Sequence, residues 1–305
     1  MKTILLAHYY VSKEVQDMAD YVGDSLDLSQ KAANSKADRI VFAGVRFMAE
    51  TAKLLSPNSE VILPDWNSTC SLVEQTDTIA LGQWRRAYFN HTHVMYINSS
   101  VEQKALADWI VTSRNVEPIV KSLLDKGQKV IFSPDRNMGI YLSRKLQTKI
   151  PSWSAVCEVH DQFDKTRLRE RFAKYGRRHA PYLIAHPESP ISILEMADYI
   201  NSTAGMLEWV DKIQLNAPDE VKLDVFVATE FELVRMMRER RPDLNIYQVP
   251  VIGNCRCNEC PYMKLNTVQK VRNAIAGKGI KIDYLSKETM RKALIPVQRM
   301  MNFSI

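Results

Sequence analysis

The chain has 305 residues, of which 41 are Lys or Arg and 35 are Asp or Glu, so its formal net charge is +6. This length predicts two or three domains, and 46% hydrophobic with 25% charged residues is typical of a globular protein. No run of eighteen apolar residues occurs, which excludes a transmembrane helix, and the five unevenly spaced cysteines exclude a secreted disulfide framework. We therefore expect a cytoplasmic protein with reduced thiols and no membrane partner.

Three apolar runs predict strands in the first part of the chain: TILLAH at 3–8, RIVFAG at 39–44 and EVILP at 60–64. The helical patterns SLDLSQKAANSKA and VRFMAETAKLL lie between them. Short apolar runs that alternate with helix-length segments are typical of βαβ units, which build parallel sheets. The opening run is therefore predicted to be a first strand rather than a signal peptide.

The same order of elements recurs twice along the chain. The matching runs are HVMYIN, KVIFSP and TKIP in the second part, and YLIAH, DVFVAT and NIYQVP in the third. A signature of Ala, Asp, an aromatic and an apolar residue also recurs, at 19–22, 107–110 and 197–200. Self-similarity at intervals of roughly ninety residues indicates repeated structural units. We predict three similar three-layer α/β/α domains with short parallel sheets around a pseudo-threefold axis, at 1–88, 89–176 and 177–305, with a C-terminal helix in the last.

Each repeat carries cysteine in the loop after its third predicted strand. Cys70 and Cys157 each follow a strand-ending proline by six residues, and the third loop contains Cys255, Cys257 and Cys260. Loops at the carboxyl ends of parallel strands build binding sites, so three thiolates are expected to meet. Three-cysteine ligation suits a 4Fe–4S cluster and leaves one iron open as a Lewis acid. The spacing does not choose among the three thiols of the third loop, and a local zinc knuckle at 255–260 is the alternative.

Other polar residues are expected at the same face. Those at the ends of the first strands of the three repeats are His8, Tyr10, Tyr96, Asn98, His186 and Glu188. Hydroxyl residues precede predicted helices, where they either bind phosphate or carboxylate or act as N-caps; they are Ser25, Ser113, Ser202 and Thr203. His160 lies close to Cys157 and is expected to approach the same site. No glycine-rich nucleotide loop occurs, which argues against a dinucleotide or ATP enzyme.

Segments along nearly the full length resemble the quinolinate synthase family. They are AHYYVSKEVQDMADYVGDSL, FAGVRFMAETAKLL, YINSSVEQKALADWIVTS, SPDRNMGIYL, CEVHDQF, IAHPES, NSTAGM and CPYMKLNT. The resemblance implies three α/β domains around a 4Fe–4S cluster that is bound by one cysteine from each domain. It also implies condensation of iminoaspartate with dihydroxyacetone phosphate to quinolinate, with loss of phosphate and water, in NAD biosynthesis.

The resemblance also assigns residues. Cys260 heads the CPYMKLNT match, so the implied cluster ligands are Cys70, Cys157 and Cys260, while Cys255 and Cys257 are extra. Tyr10, His186 and Glu188 are the implied catalytic residues. The positions implied to surround the anionic substrates are His8, Ser25, Tyr96, Asn98, Ser113, His186, Glu188, Ser202 and Thr203. A functional coupling to the enzyme that produces iminoaspartate is a further expectation.

Three rival hypotheses remain open. An iron–sulfur hydro-lyase with another substrate would share the open iron. An iron–sulfur redox sensor would bind nucleic acid through the basic segment 165–178, for which we expect only a solvated amphipathic helix and no nucleic-acid partner. A zinc-stabilised binding protein would contain zinc and no iron. Assay of the reaction, salt-dependent DNA binding and metal content separate these hypotheses.

Overall fold

The computed structural model describes residues 1–174, 181–213, 222–253 and 258–303. Its sheets are short and almost entirely parallel, with helices in the connections between the strands. The predicted α/β class with short parallel sheets is therefore confirmed. No helix within these described ranges combines the length and apolar character needed to cross a bilayer.

The first sheet contains four parallel strands from the start of the chain. These strands are β1 (Thr3–His8), β2 (Tyr21–Gly23), β3 (Arg39–Ala43) and β4 (Glu60–Leu63). The accompanying helices are α1 (Lys13–Gln16), α2 (Ser25–Asn34), α3 (Arg46–Leu55), α4 (Ser71–Glu74) and α5 (Thr78–Ala87). Nearly all of β1 and β3 is buried without alternation. Such continuous burial is expected where both faces of a parallel sheet are covered.

The second sheet contains three parallel strands in the order β6-β5-β7. Its elements are β5 (Thr92–Tyr96), α6 (Val101–Lys104), β6 (Trp109–Val111), α7 (Val116–Asp125), β7 (Val130–Ser133) and α8 (Arg136–Lys145). The strand that TKIP predicts at 148–151 does not form, so this prediction was wrong. The chain there makes only isolated bridges, at Phe132 with Ser152 and at Asp135 with Ala155. Pro151 has no N–H, so it donates no hydrogen bond to a ladder.

A 3₁₀ turn and a basic helix lead to the third sheet. The turn spans His160–Gln162, and the helix α9 spans Lys165–Phe172. The predicted basic segment 165–178 is thus helical in its first part, and its last positions lie outside the described residues.

The third sheet has the strand order β11-β10-β8-β9, and all its pairings are parallel. Its elements are β8 (Tyr182–Ala185), α10 (Ile191–Leu194), β9 (Tyr199–Ile200), α11 (Thr203–Lys212), β10 (Asp224–Ala228), α12 (Phe231–Arg240) and β11 (Asn245–Gln248). Two helices, α13 (Pro261–Lys264) and α14 (Val268–Ile275), follow the last of these strands.

The end of the chain returns to the first two sheets. The strand β12 (Ile280–Lys281) pairs antiparallel with β4, and the helix α15 (Lys287–Met301) packs against α6, β6 and α3. The sequence repeat did not predict this return. The division into units at 1–88, 89–176 and 177–305 stays a prediction.

The repeated Ala-Asp signature places an edge strand in each sheet. The carboxylates of Asp20, Asp108 and Asp198 accept the backbone N–H groups of Leu5, His93 and Leu183, at 2.7, 2.8 and 2.7 Å. The backbone N–H of each aspartate donates to the carbonyl of the same partner, at 3.0, 2.9 and 2.8 Å. Each aspartate therefore satisfies both backbone polar groups of one residue just before the strands begin to pair. The signature is a structural device that aligns β2, β6 and β9 with their neighbours.

Candidate functional site

One cavity collects side chains from all three sheets. It lies at the carboxyl ends of β1, β5 and β8, where parallel sheets commonly bind ligands. Of the predicted site residues, those that line it are His8, Tyr10, Ser25, Cys70, Tyr96, Asn98, Ser113, Cys157, His186, Glu188, Thr203 and Cys260. One predicted residue, Ser202, is fully buried and does not line it.

Three free cysteines meet in this cavity, and each stands at the start of a short helical turn. Cys70 is the N-cap of α4 and Cys260 is the N-cap of α13, while the carbonyl of Cys157 accepts the Asp161 N–H at 2.9 Å. Backbone N–H groups donate to all three sulfurs. Such N–H groups stabilise negative charge on sulfur, as a metal-bound thiolate requires.

Burial opposes thiolate formation in the absence of a cation. It raises the pKa of the Cys70 and Cys157 thiols well above the usual value and that of Cys260 to about 12. The neighbouring thiols add to the rise at Cys70 and Cys157. A bound cation reverses this balance because it stabilises the deprotonated sulfur directly. Cys255 and Cys257 lie outside the described residues.

Glu188 is a buried carboxylate that lies among side chains from all three sheets. Burial alone would raise its pKa, but His160, His186 and a hydrogen bond from the Tyr96 hydroxyl outweigh burial and hold the pKa well below its usual range. The His160 Nδ1 atom lies 2.7 Å from Glu188 Oε2 and 3.2 Å from Cys157 Sγ. The other ring nitrogen, His160 Nε2, lies 3.2 Å from the Thr229 hydroxyl. A carboxylate and a thiol are thus linked through one imidazole.

The two histidines at strand ends share one local geometry. The His8 Nδ1 atom accepts the Tyr10 backbone N–H at 3.2 Å, and the His186 Nδ1 atom accepts the Glu188 backbone N–H at 3.4 Å. Burial lowers the pKa of both imidazoles to about 3, although Glu188 acts in the opposite direction. Each ring is therefore neutral near pH 7 and carries its proton on Nε2. These two N–H groups are available as donors to an anionic ligand.

The two tyrosines of the cavity remain protonated. Burial, reinforced by the Glu188 charge, raises the pKa of Tyr10 and of Tyr96 well above the usual value. The Tyr10 hydroxyl lies 3.1 Å from the Thr229 hydroxyl, which also contacts His160. Neutral donors of the cavity therefore surround the Glu188 carboxylate.

The hydroxyl residues divide into two groups. Ser25 and Thr203 are the first residues of α2 and α11, and Ser113 follows β6; all three line the cavity. Ser202 instead caps α11, because its Oγ accepts the Gly205 N–H at 3.2 Å. A role for Ser202 in substrate binding stays a prediction.

Among the residues that the structure describes, two donor sets are present for a metal. The three cysteines come from three separate loops, whereas Cys157, His160 and Glu188 place one ligand atom each within 4.8 Å of one another. The cysteine set fits a 4Fe–4S cluster, because all three thiols are free and receive backbone N–H groups. The Asn98 Oδ1 atom is also buried without a partner among the described residues, and Asn98 Nδ2 lies 4.0 Å from Cys70 Sγ. This orphaned acceptor indicates that a further group belongs beside Cys70.

Sequence reasoning missed several residues of the cavity wall. They are Asp24, Val45, Phe47, Met48, Thr69, Thr112, Val159 and Met263. Most lie directly after a strand or beside an identified cysteine, so their position relative to the strand ends was a usable signal. The apolar residues among them carry no chemical group that marks a site, so the pattern that predicted the polar residues did not predict this part of the wall.

The fold and the cavity define an α/β enzyme with a candidate thiol-based metal centre at the carboxyl ends of its strands. Comparison with known proteins identifies the family. The model of the quinolinate synthetase A protein family (NadA) matches residues 1–302. The chain belongs to the quinolinate synthetase A family.

Curated relatives are similar over the whole chain. The protein named quinolinate synthase from Synechocystis sp. is 41% identical over 304 residues, which cover 100% of this chain and 92% of the relative. The quinolinate synthase of Microcystis aeruginosa is 40% identical over 304 residues, with the same coverage. That of Gloeothece citriformis is 40% identical, and 90% of its length is covered.

Proposed function

We propose that this enzyme condenses iminoaspartate with dihydroxyacetone phosphate to form quinolinate, phosphate and water, as a step of NAD biosynthesis. The observation that carries the proposal is the presence of Cys70, Cys157 and Cys260 in one cavity of a chain that belongs to this family. These three residues would hold a 4Fe–4S cluster. When bound, the cluster supplies an iron without a protein ligand, and this iron acts as a Lewis acid.

The side chains of the cavity match the charges of the two substrates. The Nε2–H groups of His8 and His186 are neutral donors for the carboxylates of iminoaspartate. Ser25, Ser113 and Thr203 line the cavity, and their hydroxyls are proposed to bind the phosphate. Lysines in these positions would bind the phosphate product more tightly through their charge, whereas neutral donors allow its release.

Proton transfer is assigned to the residues around Glu188. Its carboxylate, which lies 2.7 Å from His160 and lines the cavity, is the proposed general base. The Tyr10 phenol lines the same cavity and is the proposed acid that supplies a proton to a departing oxygen. His186 orients the substrate beside both groups.

We also propose a cytoplasmic location, because cysteine ligands of a cluster must stay reduced before the cluster is assembled. Iminoaspartate would come from a separate enzyme that oxidises or dehydrogenates an amino acid, and functional coupling to that enzyme follows from this need.

Metal analysis tests the cofactor. Protein purified without oxygen is expected to contain about four irons and four sulfides per chain with a broad visible absorbance. Cys70→Ser, Cys157→Ser and Cys260→Ser are each expected to lose this absorbance. The matched control is the double variant Cys255→Ser/Cys257→Ser, which is expected to keep it. Two results would contradict the cluster. One is stoichiometric zinc without visible absorbance, and the other is a single bound metal ion that is retained in both Cys70→Ser and Cys260→Ser.

A quinolinate assay tests the reaction with the Glu188→Gln variant. Loss of a general base is expected to lower kcat by roughly 10²- to 10⁴-fold at unchanged iron content. The control is Glu195→Gln, since this carboxylate is exposed and pairs with Arg144 on the surface. An active wild-type enzyme with a fully active Glu188→Gln variant would remove the assigned base. An iron-loaded wild type that makes no quinolinate would favour a hydro-lyase with another substrate.

A further inference from the structure

Lys104, at the end of α6, is a fully buried lysine, with 0% of its surface exposed. Complete burial of an ammonium group is uncommon and requires specific partners. Its Nζ atom donates to the carbonyl of Ile97 at 2.9 Å and also to the carbonyl of Ser99. Lys104 thus binds the two carbonyls on either side of Asn98.

Asn98 is the residue of this loop that faces the cavity. Its side-chain Oδ1 is buried and has no partner among the described residues. Three further hydrogen bonds hold this loop: the Ile97 N–H donates to the Val111 carbonyl at 2.8 Å, the Ser99 N–H donates to the Ile97 carbonyl at 2.8 Å, and the Ser99 hydroxyl donates to the Tyr96 carbonyl at 2.9 Å. The direction of the Asn98 amide therefore depends on how the loop 97–99 is held against α6.

The surroundings of Lys104 connect it to the cavity wall. Its ammonium lies 5.1 Å from the centre of the Phe47 ring, and Phe47 lines the cavity. Glu50, on the same helix as Phe47, accepts the Val101 N–H at 3.1 Å and the Tyr284 hydroxyl at 2.6 Å. Within the described parts of the chain Lys104 makes no ion pair at 4 Å or less, so its contacts are the two carbonyls and a ring face.

We propose that Lys104 is a positioning residue, whose buried ammonium holds the carbonyls of Ile97 and Ser99 and thereby aims the Asn98 amide at the bound ligand. The identity of that ligand rests on the proposed function. The orphaned Oδ1 is an acceptor, so it requires a ligand that presents an N–H or O–H donor. An apolar side chain at position 104 would leave the Ser99 carbonyl without its donor and the Ile97 carbonyl with only the Ser99 N–H, and would thereby release the loop.

A double-mutant cycle tests whether Lys104 acts through Asn98. Lys104→Met is expected to lower kcat/KM by about tenfold or more, mainly through KM, at unchanged visible absorbance. In an Asn98→Ala background the same change is expected to cost less than about twofold, because the amide it positions is absent. A Ser25→Ala background is expected to keep the full Lys104 effect. Equal losses in all three backgrounds would overturn the proposal.

Hydrogen exchange supplies a readout that does not depend on the reaction. Peptides that cover 97–101 are expected to exchange about tenfold faster in Lys104→Met than in wild type, with β1 and β8 unchanged. The matched control is Lys121→Met, which removes an exposed lysine that pairs with Asp125. Unchanged exchange at 97–101 would show that Lys104 does not hold this loop.

The two proposals fail in different ways. A wild type that makes no quinolinate removes the proposed function, while the exchange measurement still decides whether Lys104 orders the loop. If wild type is active, but Lys104→Met leaves exchange at 97–101 unchanged and causes the same loss in every background of the double-mutant cycle, only the role of Lys104 is removed. If Lys104→Met does not fold, Lys104→Gln, whose shorter side chain does not span both carbonyls, takes its place in both experiments, and the same losses are expected in the same direction.

Discussion

At the scale of single residues, the buried histidines differ in the groups that they contact and not in their charge. His8 and His186 face the cavity, whereas His93 in β5 is structural: its ring nitrogens lie 3.1 Å from the Leu106 carbonyl and 2.7 Å from the Ser133 hydroxyl. Burial lowers the pKa of His93 to about 4 and those of the other two to about 3. All three are neutral near pH 7, so their charge state does not distinguish the ligand-facing residues from the structural one.

His93 gives a pH-dependent prediction. Burial lowers the pKa of His93 in the folded chain to about 4, whereas its ordinary value is 6.5, so the unfolded chain binds more protons between these values. The contribution of the neutral His93 ring to the free energy of unfolding is fully present above pH 6.5 and is lost as the pH falls toward 4. Wild type is expected to lose about 1.4 kcal/mol from this residue between pH 7.5 and 5.5. Denaturation at both pH values measures the loss, and His93→Gln is expected to lose that much less than wild type. Equal losses in the two proteins would contradict the assignment.

At the scale of elements, the repeated aspartates explain how two- and three-residue strands hold their place. The strand β9 has only two residues, Tyr199–Ile200, so it makes few ladder hydrogen bonds. Asp198 adds one side-chain and one backbone contact to Leu183 at its start. Hydrogen bonds to a charged acceptor are worth more than ordinary ladder bonds, and their loss leaves a backbone N–H unpaired.

The prediction at this scale concerns Asp198→Ala. It is expected to lower the free energy of unfolding by about 2 kcal/mol, because the Leu183 N–H loses its acceptor. Urea denaturation measures the change. Glu208→Ala on α11 is the control, since its contact with Lys212 is exposed at 3.7 Å and is expected to change stability by less than about 0.5 kcal/mol. Equal effects of the two substitutions would show that the signature does not stabilise the sheet.

At the scale of the whole molecule, one arginine joins the first two sheets beside the cavity. Arg114, just after β6, donates to Asp27 at 3.0 and 3.1 Å and to Asp24 at 3.1 Å. Asp24 is the N-cap of α2 and lines the cavity, with only 7% of its side chain exposed. Because the two carboxylates share one cation, removal of that cation leaves two like charges close together.

Arg114→Met is therefore expected to lower the free energy of unfolding by about 1–3 kcal/mol, less than a fully buried pair because the arginine is partly exposed. The combination Arg114→Met/Asp24→Asn is expected to recover part of this loss, since one of the two charges is removed. Arg144→Met, which breaks the exposed pair with Glu195, is the control. The measurement is the denaturation midpoint, and an effect no larger than the control would contradict the link between the sheets.

The local pattern of the chain determined the class of fold and most of the cavity. Apolar runs predicted the strands because burial on both faces requires continuous hydrophobic residues. The polar residues that end β1, β5 and β8 were predicted to converge because carboxyl ends of parallel strands share one edge. The cysteine loops followed from the same rule. By contrast, TKIP has the composition of a strand end but forms only bridges, since pairing depends on its neighbour as well as its own pattern.

Only the tertiary structure decided contacts between distant segments. No periodic pattern in the sequence predicts these contacts. They are the pairing of β12 with β4, the contact of His160 with Glu188, and the hydrogen bond from Lys104 to the loop that contains Asn98. Ser202 and Thr203 are adjacent and chemically alike, yet one caps α11 and the other lines the cavity. The physical reason is that a local pattern sets which face of an element is buried, whereas the packing of whole elements sets which atoms meet there.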